Sequence, residues 1–209
     1  MITLMKRISK SFERRKRHFM LKHFITVRPA INEVKELFNK TPIVGCEIGT
    51  YRGIHAEQIL KALPYMKKLY LVDPYERYNN YTDFDKMGAF NPTFFTDAQM
   101  EAKKRLKKYE HKIEWVQSRF SADLIDEQLD FIYIDGNHEY YNVIHDIKES
   151  EKLVNHGVIG GHDYYPENHH LESKFGVGRA VREYYYEYGF EWKYNDWWIY
   201  QHQIFKTLK

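Results

Sequence analysis

This 209-residue chain holds a single cysteine, Cys46. No disulfide can form within it, so cross-links do not carry the fold and a reducing compartment, the cytoplasm, is expected. Long apolar runs are missing too: no stretch approaches the roughly 18 residues that a membrane-spanning helix needs. The basic start runs into a polar segment at 9–18 instead of an apolar one, which predicts no secretory signal. Internal repeats and low-complexity tracts are absent. So is the G-x-G-x-x-G spacing of pyrophosphate-binding turns, which makes a dinucleotide a poor ligand candidate.

Charge is unevenly spread. Residues 1–28 carry nine basic side chains against Glu13 alone, a local +8 that leaves −5 for the rest of a chain whose net charge is +3. Phe12, Phe19, Met20, Leu21, Phe24 and Ile25 are interleaved with those cations. Such a segment can lie as an amphipathic helix on an anionic membrane surface or on nucleic acid. It can equally pack on the domain or on a second subunit of a homo-oligomer, with its charges solvated. The overall composition, 43% hydrophobic and 29% charged, is that of a folded globular protein. The expected organisation is a basic helical segment over 1–40 followed by one domain over 41–209.

From there strands and helices alternate. A buried strand from Ile43 leads into Glu47-Ile48-Gly49-Thr50-Tyr51-Arg52-Gly53 and then a helix over 54–63. Gly49 and Gly53 allow a tight turn and close approach to a ligand, while the helix points free N–H groups and its positive dipole end above the turn. Apolar runs at 69–73, 113–118, 129–135 and 157–165 predict four more strands. Helices are expected over 29–41, 94–109, 140–155 and 177–188, with a short one capped by Ser121. Two last strands, 190–194 and 197–205, meet at a hairpin turn read at Asn195-Asp196. The pattern predicts an α/β fold: a doubly wound, Rossmann-like, seven-stranded and mainly parallel sheet with a C-terminal antiparallel hairpin. Residues 74–93, long, aromatic and without periodicity, read as a cover over the ligand site.

Open α/β sheets bind ligands beyond the carboxyl ends of their strands. The chain collects Glu47, Asp73, Ser118, Asp135 with His138, and His162 with Asp163 at those ends. Glu47 would repel a phosphate and welcome a cationic amino-acid group. Asp73, 26 positions further on, suits ribose hydroxyls or else caps the following turn. Ser118 and Arg119 would border an adenine. The set suits an adenosine attached to something other than pyrophosphate. His145, His156, His169 and His170 read as surface residues. Trp192, Trp197 and Trp198, with Tyr184, Tyr185 and Tyr186, form either a stacking surface for a sugar or base or ordinary helix-on-hairpin packing.

From about residue 41 to residue 206 the chain resembles class I S-adenosylmethionine-dependent methyltransferases. The matching pieces are the 47–53 turn, Asp73 after the second strand, Asp135-Gly136-Asn137-His138 after the fourth, and Gly160-Gly161-His162-Asp163 after the fifth. The last two are similar to the branch containing macrolide-sugar O-methyltransferases and cephalosporin-hydroxylase-like proteins. The resemblance implies S-adenosylmethionine as cofactor, with Glu47 and Gly49 near its methionine part, Thr50, Tyr51 and Gly53 also binding it, and Asp73 on its ribose. Asp135 would stand at both cofactor and acceptor. It further implies a divalent metal, Mg or Mn, on Asp135, His162 and Asp163, and His138 as the base. His162 departs from the acidic residue of that branch, and imidazole suits Mn²⁺, Fe²⁺ or Zn²⁺ better than Mg²⁺.

The expected chemistry is in-line attack of a substrate oxygen on the sulfonium methyl. An alcohol needs a base to take its proton, and an imidazole with a pKa of about 6.5 can do so near neutrality. A small molecule or a sugar or glycan hydroxyl is the expected acceptor. Two other readings stand beside it. One is a nucleic-acid methyltransferase anchored by the basic N-terminus, although no Asn/Asp-Pro-Pro-Tyr/Phe element follows the fourth strand. The other is a non-catalytic binding module on the same fold.

Overall fold

The computed structural model describes residues 27–77, 91–167, 169 and 176–201. The basic segment up to residue 26, most of the aromatic 74–93 stretch, His170 and the chain beyond 201 lie outside the described residues. Seven strands form one sheet: β1 (Ile43–Ile48), β2 (Met66–Val72), β3 (Ile113–Val116), β4 (Phe131–Ile134), β5 (Gly157–Gly161), β6 (Glu191–Lys193) and β7 (Asp196–Gln201). Their order is β3-β2-β1-β4-β5-β7-β6. The first five run parallel, and β7 lies antiparallel to both β5 and β6. The helices are α1 (Pro29–Phe38), α2 (Ile54–Ala62), α3 (Phe94–Leu106), α4 (Tyr140–Leu153) and α5 (Val177–Tyr184).

The doubly wound sheet of the sequence reading is therefore the observed one, and side-chain alternation explains how both faces are covered. Along a strand, neighbouring residues point to opposite faces. Phe131 and Trp198 enter the core under α1 and α2, with Ile31, Val34 and Ile59. Their neighbours Ile132 and Trp197 enter the other core, under α4 and α5, with Val143, Ile147 and Val181. Every residue of β1 is buried, as a central parallel strand requires. Trp197, Trp198 and Tyr185 are core residues, whereas Trp192 and Tyr186 are exposed, so packing accounts for the first three aromatics.

Three local expectations are corrected. Strand β2 begins three residues early, at Met66, because Met66 and Leu69 both fill the α1–α2 core. Ser121 supplies no side-chain cap to the short 3₁₀ turn Ala122–Leu124. The hairpin turn is Tyr194-Asn195, not Asn195-Asp196: Tyr194 takes the left-handed φ of 58° and Asp196 already belongs to β7.

Asp196 is drawn into the strand because its carboxylate is a buried junction. It is 1% exposed. Its oxygens accept from Tyr133 Oη at 2.9 Å, His162 Nδ1 at 2.8 Å and the Ala30 amide at 3.3 Å, and Arg28 Nη1 stands 3.8 Å away. The start of α1, the middle strand β4, the exit of β5 and the last hairpin are thus tied to one side chain. The helix that the sequence grouped with the N-terminal segment is packed on the sheet. Removing this carboxylate leaves several buried donors unpaired. Asp196→Ala is expected to lower unfolding free energy by about 3 kcal/mol, read from the midpoint of urea denaturation.

Candidate active site

At the point where the strand order reverses, between β1 and β4, the carboxyl ends of the strands open into a cavity of about 710 Å³. Its walls come from the 49–55 turn, the β2 exit at Asp73 to Glu76, the β3 exit at Ser118 to Phe120, the β4 exit at Asp135 to His138, and α4. Arg28 closes one end.

The turn after β1 is held by Asp73. Its two oxygens accept from the Tyr51 amide at 2.7 Å and the Tyr75 amide at 2.8 Å. Tyr75 Oη in turn donates to the Tyr51 carbonyl at 2.9 Å. Both tyrosines take left-handed φ, 47° and 50°, a conformation that costs a non-glycine residue about 1 kcal/mol or more. Gly49 is required for another reason: at φ 90° an added Cβ would lie 2.2 Å from the Asp135 carbonyl oxygen. Burial raises the Asp73 pKa, and the amides of Tyr51, Tyr75 and Thr50 oppose that shift. A carboxylate offers about four acceptor positions, so Asp73 can cap this turn and still take ribose hydroxyls. The two alternatives open in the sequence are compatible.

Glu47 differs from its expected place. It does not face the cavity but lies beneath it, 1% exposed, with Oε1 2.8 Å from His55 Nδ1. Burial first, then Asp135, pushes the Glu47 carboxyl well up, with Arg28 opposing. Burial and Arg28 push the His55 imidazole down to about 3. The pair is therefore neutral overall. If Glu47 keeps the proton and donates it to Nδ1, a neutral imidazole must carry its hydrogen on Nε2. If the proton passes to the ring, Nε2–H remains. His55 Nε2 is buried with no hydrogen-bond partner among the described residues, and His55 lines the cavity.

The polar cluster after β4 and β5 is also rearranged. His138 Nε2 lies 3.5 Å from Asp135 Oδ1 and 3.4 Å from Asp163 Oδ2. Asp163 takes a left-handed φ of 55°. Burial works against ionising Asp135, but His138, Arg28 and His162 outweigh it and hold its carboxyl well below the usual range. Arg28 Nη2 is 3.5 Å from Asp135. Among the described residues, Asp135, His138 and Asp163 bring their ligand atoms within 4.8 Å of one another, a grouping that can hold a metal ion. His162, expected among the ligands, is not in that group. Its Nδ1 faces Asp196, and its Nε2 faces the Asn195 amide nitrogen at 2.9 Å. The buried carboxylate of β7, invisible to a motif, engages Nδ1, while Nε2 also lies 3.6 Å from Asp163 Oδ1.

Ser118 and Arg119, expected beside an adenine, line the cavity. Arg28, His55 and Asp146 were not expected there. Arg28 reads as one more cation of the basic segment, and His55 as an ordinary residue of an amphipathic helix. Asp146 left a faint signal: it lies three residues after Val143 and next to Ile147, an acid on the buried stripe of α4. His145, read as a surface residue, lines the cavity too, with Nε2 3.0 Å from the Phe120 carbonyl.

The neutral Glu47–His55 pair is testable by substitution. A glutamine amide can donate to His55 Nδ1 as the protonated carboxyl does, so Glu47→Gln is expected to change stability by less than about 1 kcal/mol. Glu47→Ala, which strands the ring nitrogen, is expected to cost about 2 kcal/mol. Thermal unfolding at pH 7 checks both, and a large loss in Glu47→Gln would mean that the carboxylate is ionised.

Comparison with known proteins is consistent with this pocket. Residues 46–164, more than half of the chain, match the sequence profile of a family described as "Methyltransferase domain". No curated protein matches the sequence. Among solved structures, an rRNA methylase from Streptococcus thermophilus superposes with a TM-score of 0.57 at 13% identity, over 85% of this chain and 98% of that one. The O-methyltransferase TomG from Streptomyces achromogenes, solved with S-adenosylmethionine, gives 0.54 at 12%, over 88% and 94%. The pyocyanin biosynthetic protein PhzM gives 0.51 at 11%, and here 81% of this chain spans 53% of that one, about half its length. At these identities the structures speak for the fold alone. The family match falls on the segment that builds the cavity, and on it the chain belongs to the methyltransferase-domain family, as a class I, S-adenosylmethionine-dependent member.

Proposed function

We propose that the protein is an O-methyltransferase that moves the methyl group of S-adenosylmethionine to a hydroxyl of a small molecule, a sugar or glycan hydroxyl fitting best. The observation that carries this reading is His138, an imidazole set between two carboxylates on the wall of the cavity. The sulfonium methyl needs no activation, but an alcohol does: its proton must leave as the new C–O bond forms. His138 takes that proton, and the imidazolium charge is stabilised by Asp135 and Asp163 on either side. Thr50, Tyr51 and the Gly49 and Gly53 bends would cradle the donor, Asp73 its ribose, and Ser118 and Arg119 its adenine. Arg28, on the same wall, would meet the methionyl carboxylate.

The same three side chains fit a divalent cation, whose donor-atom spacing is the observation that favours a second reading. When bound, such an ion supplies Lewis-acid stabilisation of the alkoxide. It would also claim the nitrogen that the base needs, because His138, not His162, completes the group. The histidine-base route therefore predicts transfer that survives chelation. A reducing compartment, expected from the lone cysteine, remains part of the proposal.

His138→Ala is expected to lower turnover at least a hundredfold while leaving S-adenosylhomocysteine affinity within about threefold. Asp73→Ala is expected to weaken that affinity by tenfold or more, since it loses both the ribose acceptor and the clamp on the turn. Calorimetry with and without EDTA, beside a methyl-transfer assay on a panel of sugar hydroxyls, checks these outcomes. Undiminished turnover in His138→Ala removes the base. Turnover that EDTA abolishes and Mn²⁺ restores favours the metal reading.

A further inference from the structure

Near the β3 exit and α4 the cavity is lined by groups that already have partners. Arg119 Nε is 3.3 Å from Glu76, His145 is turned to the Phe120 carbonyl, and the Phe120 ring is in the core. Asp146 is different. It lines the cavity from α4, is 7% exposed, and its carboxyl makes no hydrogen bond or ion pair among the described residues. A polar side chain at that depth without a partner is costly, and it faces open space.

The groups around it supply no counter-charge. Glu149 on the same helix is acidic, and Cys46 on β1 is a thiol that burial keeps neutral. Asp135 at the β4 exit is engaged with His138 and Arg28. His145 and Arg119 are committed as described. Burial, reinforced by Glu149, lifts the Asp146 carboxyl to about 8. Near neutrality it is therefore a carboxylic acid, with one O–H donor and one carbonyl acceptor on a single planar group. Adenine presents the complementary pair, an exocyclic N–H beside a ring nitrogen.

We propose that Asp146 reads the adenine of the methyl donor, one oxygen accepting from the exocyclic amine and the other donating its hydrogen to the adjacent ring nitrogen. This rests on the assignment of the cavity to S-adenosylmethionine. It makes Asp146 a specificity residue, and it makes donor affinity pH-dependent. As pH rises through about 8 the acid ionises, the O–H donor is lost, and a carboxylate is left against the lone pair of the ring nitrogen. Binding weakens on the alkaline side.

The test is calorimetry with S-adenosylhomocysteine from pH 6.5 to 9.5 on wild type, Asp146→Asn and Asp146→Ala, with folding checked by far-UV circular dichroism. Wild-type affinity is expected to fall by up to tenfold per pH unit above about 8. Asp146→Asn, which keeps a donor and an acceptor, should bind within about threefold of wild type at pH 7 and lose the alkaline fall. Asp146→Ala should bind at least tenfold more weakly. The matching probe needs no variant: the analogue with unsubstituted purine in place of adenine should bind wild type at least tenfold more weakly than S-adenosylhomocysteine. Equal affinity for the two nucleosides, or an alkaline fall retained in Asp146→Asn, overturns the inference. Complete failure of wild type to bind S-adenosylhomocysteine overturns the donor assignment itself.

Discussion

Asp196 and Arg28 meet over Tyr133, and the site takes its shape from that meeting. A carboxylate at the head of the last strand and a guanidinium just ahead of the first described helix are both largely withdrawn from water. Neither is tolerable there alone, since an unpaired buried charge costs several kcal/mol. Together with the Tyr133 hydroxyl, which accepts from Arg28 at 2.9 Å and donates to Asp196, they satisfy one another. The consequence is topological: α1, β4 and the terminal hairpin close around one node, and the wall of the cavity is fixed where they close. Arg28 then reaches on to Asp135, so the same cation that completes the fold also holds an acid of the site ionised.

The cavity wall carries acids in different protonation states, and environment alone separates them. Asp135 has Arg28, His138 and His162 around it and stays charged despite its burial. Asp146 lies as deep without comparable compensation and is pushed up to about 8, and burial drives the Glu47 carboxyl upward too. An ionised carboxylate accepts, whereas a protonated one both donates and accepts. One kind of side chain thereby furnishes the site with an ionised partner for Arg28, a buried hydrogen bond to His55 and an uncharged acid on the cavity wall. Strain collects here as well: Tyr51 and Tyr75 on the wall and Asp163 against His138 all take left-handed backbone angles, held by the Asp73 clamp and by the packing of the strand exits.

Much of this was legible in one dimension. The strand and helix alternation is a matter of apolar period, and the sheet followed it closely, down to the antiparallel pair at the end. The turn at 47–53, Asp73, Asp135 and His138 are each fixed by their place at a strand exit, and the topology brings them together. At the site the differences come from side-chain partners that local pattern does not reveal, whether eight residues away or more than a hundred. His162 left the expected metal set because Asp196, 34 residues on, accepts its Nδ1 hydrogen. Glu47 meets His55, eight residues on, because the α2 helix brings that ring over the end of β1. Arg28 looked like one of nine cations until its salt bridges to residues over a hundred positions away distinguished it.

Local pattern alone places these residues at the carboxyl rim of the sheet, because the alternation of strands and helices and the direction of the chain follow from it. Tertiary structure decided which of them face the cavity, which carry charge and which share a proton. Those properties depend on depth from solvent and on the nearest opposite charge, and both are set only when distant segments pack against one another.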